Sequence, residues 1–306
     1  MYKQLTNLMK KIIRLTTLFF ALLAVSLMSC TEESAKGKVQ LYITDAPVDD
    51  ANVDAVFLSI IGVELKNNDG WQTIAAYDEP VTVNILDYQE GNALFLTEEE
   101  ISAGTYTEAR LILDAPAENV PAANNPGCYL RYKDGSTQAL FIPSGAQSGY
   151  KVKGSFTLAA GGTVAVTLDF DVRKSIVVAG ASERFVLKPV VRLVANQDAA
   201  LIEGDYLDFT EGTRVVVYAY EAGGFTTGES EADADGIRFP NAITSTQLNA
   251  EGEFTLAFMN AGDYELVFVT VDGEGELVDL IGTIDATLTA GVRLDLDIDL
   301  AALALL

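Results

Sequence analysis

Apolar and polar residues alternate with a period of two along most of the chain that follows residue 37. This alternation is typical of β-strands that bury one face, and no comparable stretch after the leader shows the 3.6-residue period of an amphipathic helix. We therefore predict an all-β protein. The predicted strands are 39–44, 55–66, 71–76, 105–113, 129–133, 138–142, 151–158, 164–171, 184–193, 214–220, 253–259, 264–271, 277–281 and 292–300.

Turn signals separate these strands. Asn67-Asn68-Asp69-Gly70 and Lys133-Asp134-Gly135 are typical hairpin turns. Between two predicted strands, residues 98–101 predict a single helical turn with Thr97 as its N-cap.

The composition changes near residue 200. The segment 195–200 is small and polar, as expected of a linker, and the residues after it contain 21 acidic and 3 basic side chains and no lysine. We predict two tandem β-sandwiches of the immunoglobulin-like or Greek-key type, over residues 38–196 and 201–306.

The first 29 residues have the pattern of an export signal. Four basic residues precede the apolar run 15–28, which is too short to cross a bilayer comfortably. The run ends in Leu27-Met28-Ser29-Cys30, which resembles the lipobox of bacterial lipoproteins. This resemblance implies cleavage between Ser29 and Cys30 and a lipid on Cys30, with residues 30–37 as a tether to the membrane.

Two glutamates follow the predicted anchor. Glu32-Glu33 is similar to the surface-export signal of lipoproteins in the Bacteroidota, which implies an outer-membrane protein that faces outwards. The alternative is a solvated spacer.

Charge and composition exclude several classes of function. The 306 residues include 44 acidic and 20 basic side chains, a net charge of −24, so the field repels nucleic acid. Removal of the leader takes away four basic residues and no acidic ones, which makes the net charge −28. Because the chain has no histidine, Ser-His-Asp, Cys-His and HExxH chemistries are excluded.

Three side chains are assigned structural roles. If Cys30 is lipidated, Cys128 is the one free thiol, and no flanking cation indicates activation, so we predict a buried, inert side chain. Gly104-Thr105-Tyr106 and Gly262-Asp263-Tyr264 each begin a strand. There we expect the phenol to bind the backbone at a corner.

Several motifs in the first region resemble the bacterial lipoprotein family called domain of unknown function 4382, and the resemblance implies no established activity. They are Leu41-Tyr42-Ile43-Thr44-Asp45-Ala46-Pro47, Gly70-Trp71, Ile85-Leu86-Asp87, Gly104-Thr105-Tyr106, Ile142-Pro143-Ser144-Gly145, Leu168-Asp169-Phe170-Asp171 and Leu187-Lys188-Pro189-Val190.

The second region is similar to carboxypeptidase regulatory-like, or transthyretin-like, modules. The similarity is carried by Val215-Val216-Val217-Tyr218-Ala219, Gly252-Glu253-Phe254 and Gly262-Asp263-Tyr264. It implies a seven-stranded Greek-key sandwich without catalytic activity.

Acidic side chains suggest two calcium hypotheses. Asp45, Asp49, Asp50 and Asp54 bracket Pro47 and supply the oxygen ligands that calcium prefers, although a solvated turn is the favoured interpretation. The segment 231–236 imitates the start of an EF-hand loop, but its twelfth position is Ala242 instead of glutamate. We predict a flexible acidic loop there and no cofactor beyond a structural calcium ion.

Other charged residues are predicted to face solvent or to pair. Arg293, Asp295, Asp297 and Asp299 share one face of a strand. Asp169 and Asp171 are interpreted as a second solvated face, for which the nearby Arg173 and Lys174 offer pairing partners. Seven basic residues between Lys151 and Arg192 are expected to pair with the surplus carboxylates.

These observations predict a lipid-anchored surface protein of the cell envelope with a non-catalytic structural, adhesive or ligand-binding role. Its partners would be the membrane, through the lipid, and a glycan or protein ligand, but not nucleic acid. The alternatives are a glycan-acting enzyme that uses two carboxylates and an accessory subunit of an envelope assembly. Trp71 is the one tryptophan available for a sugar platform, and we expect it to pack instead.

Overall fold

The computed structural model of the chain describes residues 35–46, 52–114, 127–142, 150–179, 184–188, 190–207, 214–299 and 303. Residues Lys36–Leu306 form one compact unit. Most described residues lie in strands, which confirms the all-β prediction. The predicted signal peptide, the lipobox with Ser29 and Cys30, and the acidic pair Glu32-Glu33 lie outside the described residues.

The N-terminal region, residues 36–195, is built on one ten-stranded sheet with the order β4-β1-β9-β12-β8-β5-β2-β6-β7, in which β3 also pairs with β2. A ribbon of two strands, β10 and β11, lies outside this sheet. The strands are β1 (Lys36–Ala46), β2 (Val53–Asn67), β3 (Gly70–Asn84), β4 (Leu94–Ser102), β5 (Gly104–Leu113), β6 (Tyr129–Tyr132), β7 (Thr137–Ala139), β8 (Tyr150–Leu158), β9 (Thr163–Asp171), β10 (Ile176–Ala179), β11 (Arg184–Leu187) and β12 (Val191–Ala195).

One hydrophobic core joins these strands. In β1, Val39, Leu41 and Ile43 are fully buried and alternate with less buried residues, as the pleat of a strand requires. Leu111 of β5 and Phe170 of β9 belong to the same core. The period-two pattern therefore selects the face that each strand turns inwards.

Strand directions define two ends of the sheet. β1 is parallel to β9, β9 is antiparallel to β12, β12 is parallel to β8, and β8, β5 and β2 alternate in direction. β2 therefore begins at the end where β1 finishes, which we call the upper end. Lys36 lies at the lower end, and at about 3.3 Å per residue it is roughly 33 Å from Ala46.

The C-terminal region, residues 200–299, contains two sheets: three strands in the order β16-β13-β19 and four in the order β15-β14-β17-β18. Both sheets contribute to one core, in which Ile202, Phe254 and Ile298 meet Val217, Leu266 and Phe268. The region is thus a seven-stranded sandwich. Its strands are β13 (Ala200–Tyr206), β14 (Arg214–Glu221), β15 (Thr244–Gln247), β16 (Glu253–Met259), β17 (Gly262–Val271), β18 (Leu277–Leu288) and β19 (Arg293–Ile298).

The four-stranded sheet is buried on both faces. On the face away from the sandwich core, Tyr218 and Val269 pack with Phe239 and Ala242 from the segment between β14 and β15. Tyr218 and Phe239 stack with ring centroids 4.2 Å apart. This second core explains why β14 has an almost continuous run of buried residues instead of an alternating one.

Three short helices occur among the described residues. Two are 3-10 helices, at Ile85–Asp87 and Thr227–Ser230. The third, α1, is a single α-helical turn at Val172–Ser175 that directly follows β9. Its N-cap is Asp171, whose carboxylate accepts a hydrogen bond from the backbone N–H of Lys174.

The structure corrects the predicted secondary structure at several points. Residues 98–101 lie in β4, so the predicted helical turn with Thr97 as its N-cap is wrong. The predicted strand 184–193 is divided into β11 and β12. The segment predicted as a linker is a tight turn, because Ala195 ends β12 and Ala200 begins β13. The pattern also missed β10, β13, β15 and α1.

Candidate functional site

An apolar cleft of about 330 Å³ lies between the N-terminal and C-terminal regions. Val53 and Val56 of β2, Val172 of α1 and Val178 of β10 line the N-terminal side. Tyr218, Ile237, Phe239, Val271 and Leu277 line the C-terminal side. The volume lies within the range of about 300–1,000 Å³ that is usual for small-molecule sites.

The ribbon of β10 and β11 forms one wall of the cleft. Ile176 and Val178 are two residues apart on β10 and so project from the same face, and Phe185 of β11 lies opposite Val178 in the register. All three side chains line the cleft. Val178 is 49% exposed, which makes it one of the few large apolar side chains accessible to solvent.

The helix α1 places Arg173 at the base of the cleft. The Arg173 side chain is 4% exposed. Its Nη1 donates hydrogen bonds to the carbonyls of Arg238, at 2.5 Å, and Phe239, at 3.2 Å. The guanidinium group lies over the ring of Tyr218, 5.2 Å from the centroid. Arg173 therefore belongs to the N-terminal region by sequence and to the C-terminal region by its contacts.

Lys174 also crosses the junction. Its Nζ donates a hydrogen bond to the carbonyl of Ala242 at 2.6 Å and lies 3.0 Å from the carboxylate of Asp171. Desolvation is the largest influence on the ammonium group and lowers the pKa of Lys174. Both cations of α1 thus bind backbone carbonyls of the other region.

Three aspartates are buried at the upper end of β1 and β9, next to this junction. Asp171 accepts ion pairs from both Arg173 and Lys174. Asp169 forms an ion pair with Arg192 of β12. Desolvation nevertheless raises the pKa of Asp169, against the opposing effect of Arg192. The prediction that Asp169 and Asp171 form a solvated face is therefore wrong, because packing against the C-terminal region buries that end of β9.

Asp45 is the third buried aspartate. Its carboxylate accepts hydrogen bonds from the backbone N–H of Val172 at 3.0 Å and from Nε2 of Gln89 at 3.2 Å. Desolvation raises the pKa of Asp45 well above its ordinary value, and the charges of Asp171 and Asp169 raise it further.

The space beside these carboxyl groups is small. Asp45 and Asp169 border a pocket of about 20 Å³, whose far wall is formed by Thr244, Ser245 and Thr246 of β15. Such a volume holds roughly one water molecule. A carboxyl group with a raised pKa beside a second carboxylate resembles a glycosidase pair, but a sugar ring cannot enter here.

The four predicted calcium ligands have different surroundings. Asp49 and Asp50 lie outside the described residues. Asp45 is buried as described above, and Asp54 forms an exposed ion pair with Arg131 at 2.6 Å. Within the described part of the chain, no group of three or more acidic or cysteine side chains is arranged to hold a metal ion. Calcium binding stays a hypothesis.

Hydrogen bonds and an ion pair within the protein stabilise the acidic loop at 231–236. The Asp233 carboxylate accepts hydrogen bonds from the backbone N–H groups of Asp235 and Ile237, both at 2.9 Å. Asp235 lies 3.5 Å from Lys188 in an exposed ion pair that crosses the junction. This loop also lines the cleft, a role that its sequence did not indicate.

Pairing of the basic residues with carboxylates is confirmed for Arg173, Lys174, Lys188 and Arg192. The solvated face of β19 is also confirmed, since Arg293, Asp295 and Asp297 are exposed, and Asp299 is exposed just beyond the strand. Arg293 forms ion pairs with Glu203 and Asp295, each at 2.5 Å. None of these residues faces the cleft except Arg173.

The remaining predictions concern packing. Tyr106 donates a hydrogen bond to the carbonyl of Ser102, and Tyr264 to that of Asn260, each at 2.8 Å, which confirms both corners. Cys128 is fully buried, and desolvation raises the pKa of its thiol to about 12, as expected of an inert side chain. Trp71 packs under Arg110, whose guanidinium carbon is 4.0 Å from the ring centroid.

Sequence reasoning missed the residues that build the junction. Arg173 and Lys174 were recognised only as partners for nearby acids, because nothing in a strand pattern indicates a contact 65 residues away. One available signal was the run Asp171-Val172-Arg173-Lys174, which interrupts the alternation and has an N-cap residue at its start.

None of the helices among the described residues combines the length and the apolar character needed to cross a membrane.

The solved structures to which this chain is similar have low sequence identities and low TM-scores. The Bacillus anthracis TIE protein is 11% identical with a TM-score of 0.22, and the similarity covers 87% of this chain and 34% of that protein, so this chain spans about a third of its length. A minor pilin of Streptococcus agalactiae is 12% identical with a TM-score of 0.22, and the similarity covers 85% of this chain and 94% of the pilin. A putative carbohydrate binding protein of Pseudomonas aeruginosa is 12% identical with a TM-score of 0.22, over 35% and 91% of the two chains. Similarity at this level supports no conclusion about function.

Among curated proteins, none matches the chain. Residues 36–189 match the family model described as domain of unknown function (DUF4382). The matched segment contains the ten-stranded sheet up to β9, the helix α1 and the ribbon of β10 and β11. It comprises half of the 306 residues, and the chain therefore belongs to this family.

Proposed function

We propose that this protein is a lipid-anchored component of the cell-envelope surface with a non-catalytic structural, adhesive or ligand-binding role. One observation carries the non-catalytic part of the proposal. The carboxyl groups with raised pKa values, Asp45 and Asp169, are enclosed at the junction, where they accept hydrogen bonds or an ion pair and have space for about one water molecule. The junction therefore serves to hold the two regions together.

The position of the predicted anchor supports a surface role. Lys36 begins β1 at the lower end of the sheet, and Cys30 lies six residues before it. The contacts of Arg173 and Lys174 with the C-terminal region are at the upper end. A lipid on Cys30 would therefore attach the protein to the membrane through the residues that directly precede β1.

Charge supports the same arrangement. The C-terminal region has 21 acidic and 3 basic residues, so a surface rich in carboxylates would extend from the membrane and keep the protein soluble. We propose that this region serves as a spacer or binding module of the carboxypeptidase regulatory-like type, and its seven-stranded sandwich agrees with that assignment.

The anchor is tested with the two cysteines of the chain. Cys30→Ala should move the protein from the membrane fraction to the soluble fraction of lysed cells, because it removes the site of lipid attachment. Cys128→Ala is the matched control, since Cys128 is buried and should leave the attachment unchanged. Membrane attachment of the Cys30→Ala chain that persists in high salt and carbonate would contradict the anchor.

The surface location and the role need separate measurements. Protease added to intact cells should degrade the wild-type protein if it faces outwards, whereas a periplasmic control protein should survive. Glycan arrays and pull-down experiments with the Cys30→Ala chain should reveal binding without turnover. Hydrolysis of a polysaccharide that is abolished by changing one Asp or Glu would instead support the enzyme hypothesis.

A further inference from the structure

We propose that the cleft between the two regions is a binding site for a small amphipathic organic anion, namely a molecule with an apolar body and one carboxylate. The proposal goes beyond the surface role and does not depend on the lipid anchor. It rests on the shape of the cleft, the apolar side chains of its walls and the two guanidinium groups in its lining.

The walls suit an apolar body. Ile176, Val178 and Phe185 face the cleft from the ribbon, and Val271 and Leu277 face it from the C-terminal region. Val178 is 49% exposed, so part of this apolar surface is in contact with water. Covering it with the apolar body of a ligand would be favourable, because apolar surface is removed from water.

The charges of the lining suit an anion. Two of its charged side chains are Arg173 and Arg238, and the third is Asp235. Asp235 is at the exposed rim and has Lys188 as a partner, so its repulsion of an anion is weakened. This cationic lining stands out in a chain with a net charge of −24.

Contacts within the protein already hold the Arg173 side chain in place. Its Nη1 is held by the carbonyls of Arg238 and Phe239, and its guanidinium plane is supported by Tyr218. Asp171 forms ion pairs with both Arg173 and Lys174 and so helps to fix the position of the guanidinium group. A guanidinium group that is held in place loses little entropy when it binds a carboxylate.

Arg238 is the more accessible of the two. Its side chain is 27% exposed and forms an ion pair with Glu276, which is itself 66% exposed. An ion pair with a solvent-exposed partner is weak, because water screens the charges. A ligand carboxylate can therefore replace Glu276 at small cost.

Octanoate and 1-octanol are matched probes, because they share an apolar chain and differ in charge. Isothermal titration of the Cys30→Ala chain should give saturable binding of octanoate, with 1-octanol roughly tenfold weaker or more, since hydrogen bonds to an ionised acceptor are the stronger ones. Absence of saturable octanoate binding would overturn the proposal. Equal affinities for the two probes would overturn the anion part of it.

Substitutions inside and outside the cleft test whether octanoate binds there. Val178→Asp places a negative charge in the apolar wall and should weaken octanoate roughly tenfold or more. Arg238→Gln should bring the affinity for octanoate close to that for 1-octanol. Val278→Asp is the matched control, since Val278 is 65% exposed and is not part of the cleft lining. If Val278→Asp weakened binding as much as Val178→Asp, or if neither did, the cleft would not be the site.

Thermal melting should show that both valine variants are folded. Failure of octanoate binding would leave the anchor experiment unaffected, because release of the Cys30→Ala chain from membranes does not involve the cleft. Conversely, octanoate binding together with a wild-type chain that carries no lipid on Cys30 would support the cleft and contradict the proposed location. The two proposals can therefore fail separately.

Discussion

Tyr106 and Tyr264 each stand two residues after a glycine and donate a hydrogen bond to the carbonyl four residues before them. The glycines, Gly104 and Gly262, have φ values of 151° and 155°, which side chains with a Cβ rarely adopt. The same corner thus occurs once in each region, and its residues are close enough in sequence to be recognised without a structure.

Removal of either phenol oxygen should destabilise the fold. Tyr106→Phe and Tyr264→Phe keep the packed ring but remove the hydrogen bond from the phenol to the backbone carbonyl, so each should lower the free energy of unfolding by about 1 kcal/mol. Urea denaturation measures the change. Tyr42→Phe is a suitable control, because the Tyr42 ring contacts Phe95 and the described part of the chain shows no hydrogen bond from its hydroxyl. Equal stability of all three variants would contradict the corner assignment.

Asp45 should make stability depend on pH. Because burial raises its pKa, the folded state keeps a proton that the unfolded chain releases near pH ~3.9. The stability that comes from this proton is complete below that pH and is lost as pH rises through the folded pKa. Asp45→Asn cannot ionise and keeps an oxygen that can accept from Val172.

The free energy of unfolding of Asp45→Asn should therefore fall less than that of the wild type as pH rises above about 4. Urea titrations at several pH values give the comparison. Asp54→Asn is the control, since Asp54 is in an exposed ion pair. A pH profile of Asp45→Asn that is parallel to the wild-type profile would show that Asp45 does not titrate in the folded protein in this way.

At the scale of elements, β4 shows how a partner overrides a local preference. Glu98, Glu99 and Glu100 favour a helical turn by themselves, but β4 pairs with β1, where Lys38 and Lys36 face this acidic run. Lys38 is 2.7 Å from Glu98, and Lys36 is 3.6 Å from Glu100. The local pattern contains no information about β1, which begins about sixty residues earlier.

The strand pattern did not predict the helix α1, because α1 has almost no local signal. It has only four residues, too few for a helical period, and its stability comes from Asp171 as N-cap and from contacts with the C-terminal region. Whether such a short helix forms therefore depends on its tertiary contacts more than on its own sequence.

Arg173→Ala tests the role of α1. The change removes two hydrogen bonds and the contact with Tyr218, and leaves Asp171 with one cation fewer, so the free energy of unfolding should fall by roughly 3–5 kcal/mol. Because the junction is weakened, thermal unfolding should also separate into two transitions, which calorimetry would resolve.

Lys188→Ala is the control for this variant. Lys188 also crosses the junction, but its ion pair with Asp235 is exposed, so its removal should cost about 0–1 kcal/mol and leave one transition. A single, unchanged transition in Arg173→Ala would show that α1 does not hold the regions together.

At the scale of the whole molecule, the two regions form one compact unit. The composition of residues 195–200 predicts a linker, and in the structure the chain passes there from the ten-stranded sheet to the three-stranded one. In the structure the chain crosses in four residues, and charged side chains from α1 bind across the boundary. The cleft exists only because the regions meet in this way.

The sequence by itself determined the properties that depend on neighbouring residues: the strand pattern, the two tyrosine corners, the lack of histidine chemistry and the motifs that identify the family. These follow from side-chain alternation and from backbone bonds that span a few positions. Only the tertiary structure decided that Asp169 and Asp171 are buried, that α1 joins the two regions and that an apolar cleft lies between them. Each of these depends on residues that are distant in the chain and are brought together when the core closes.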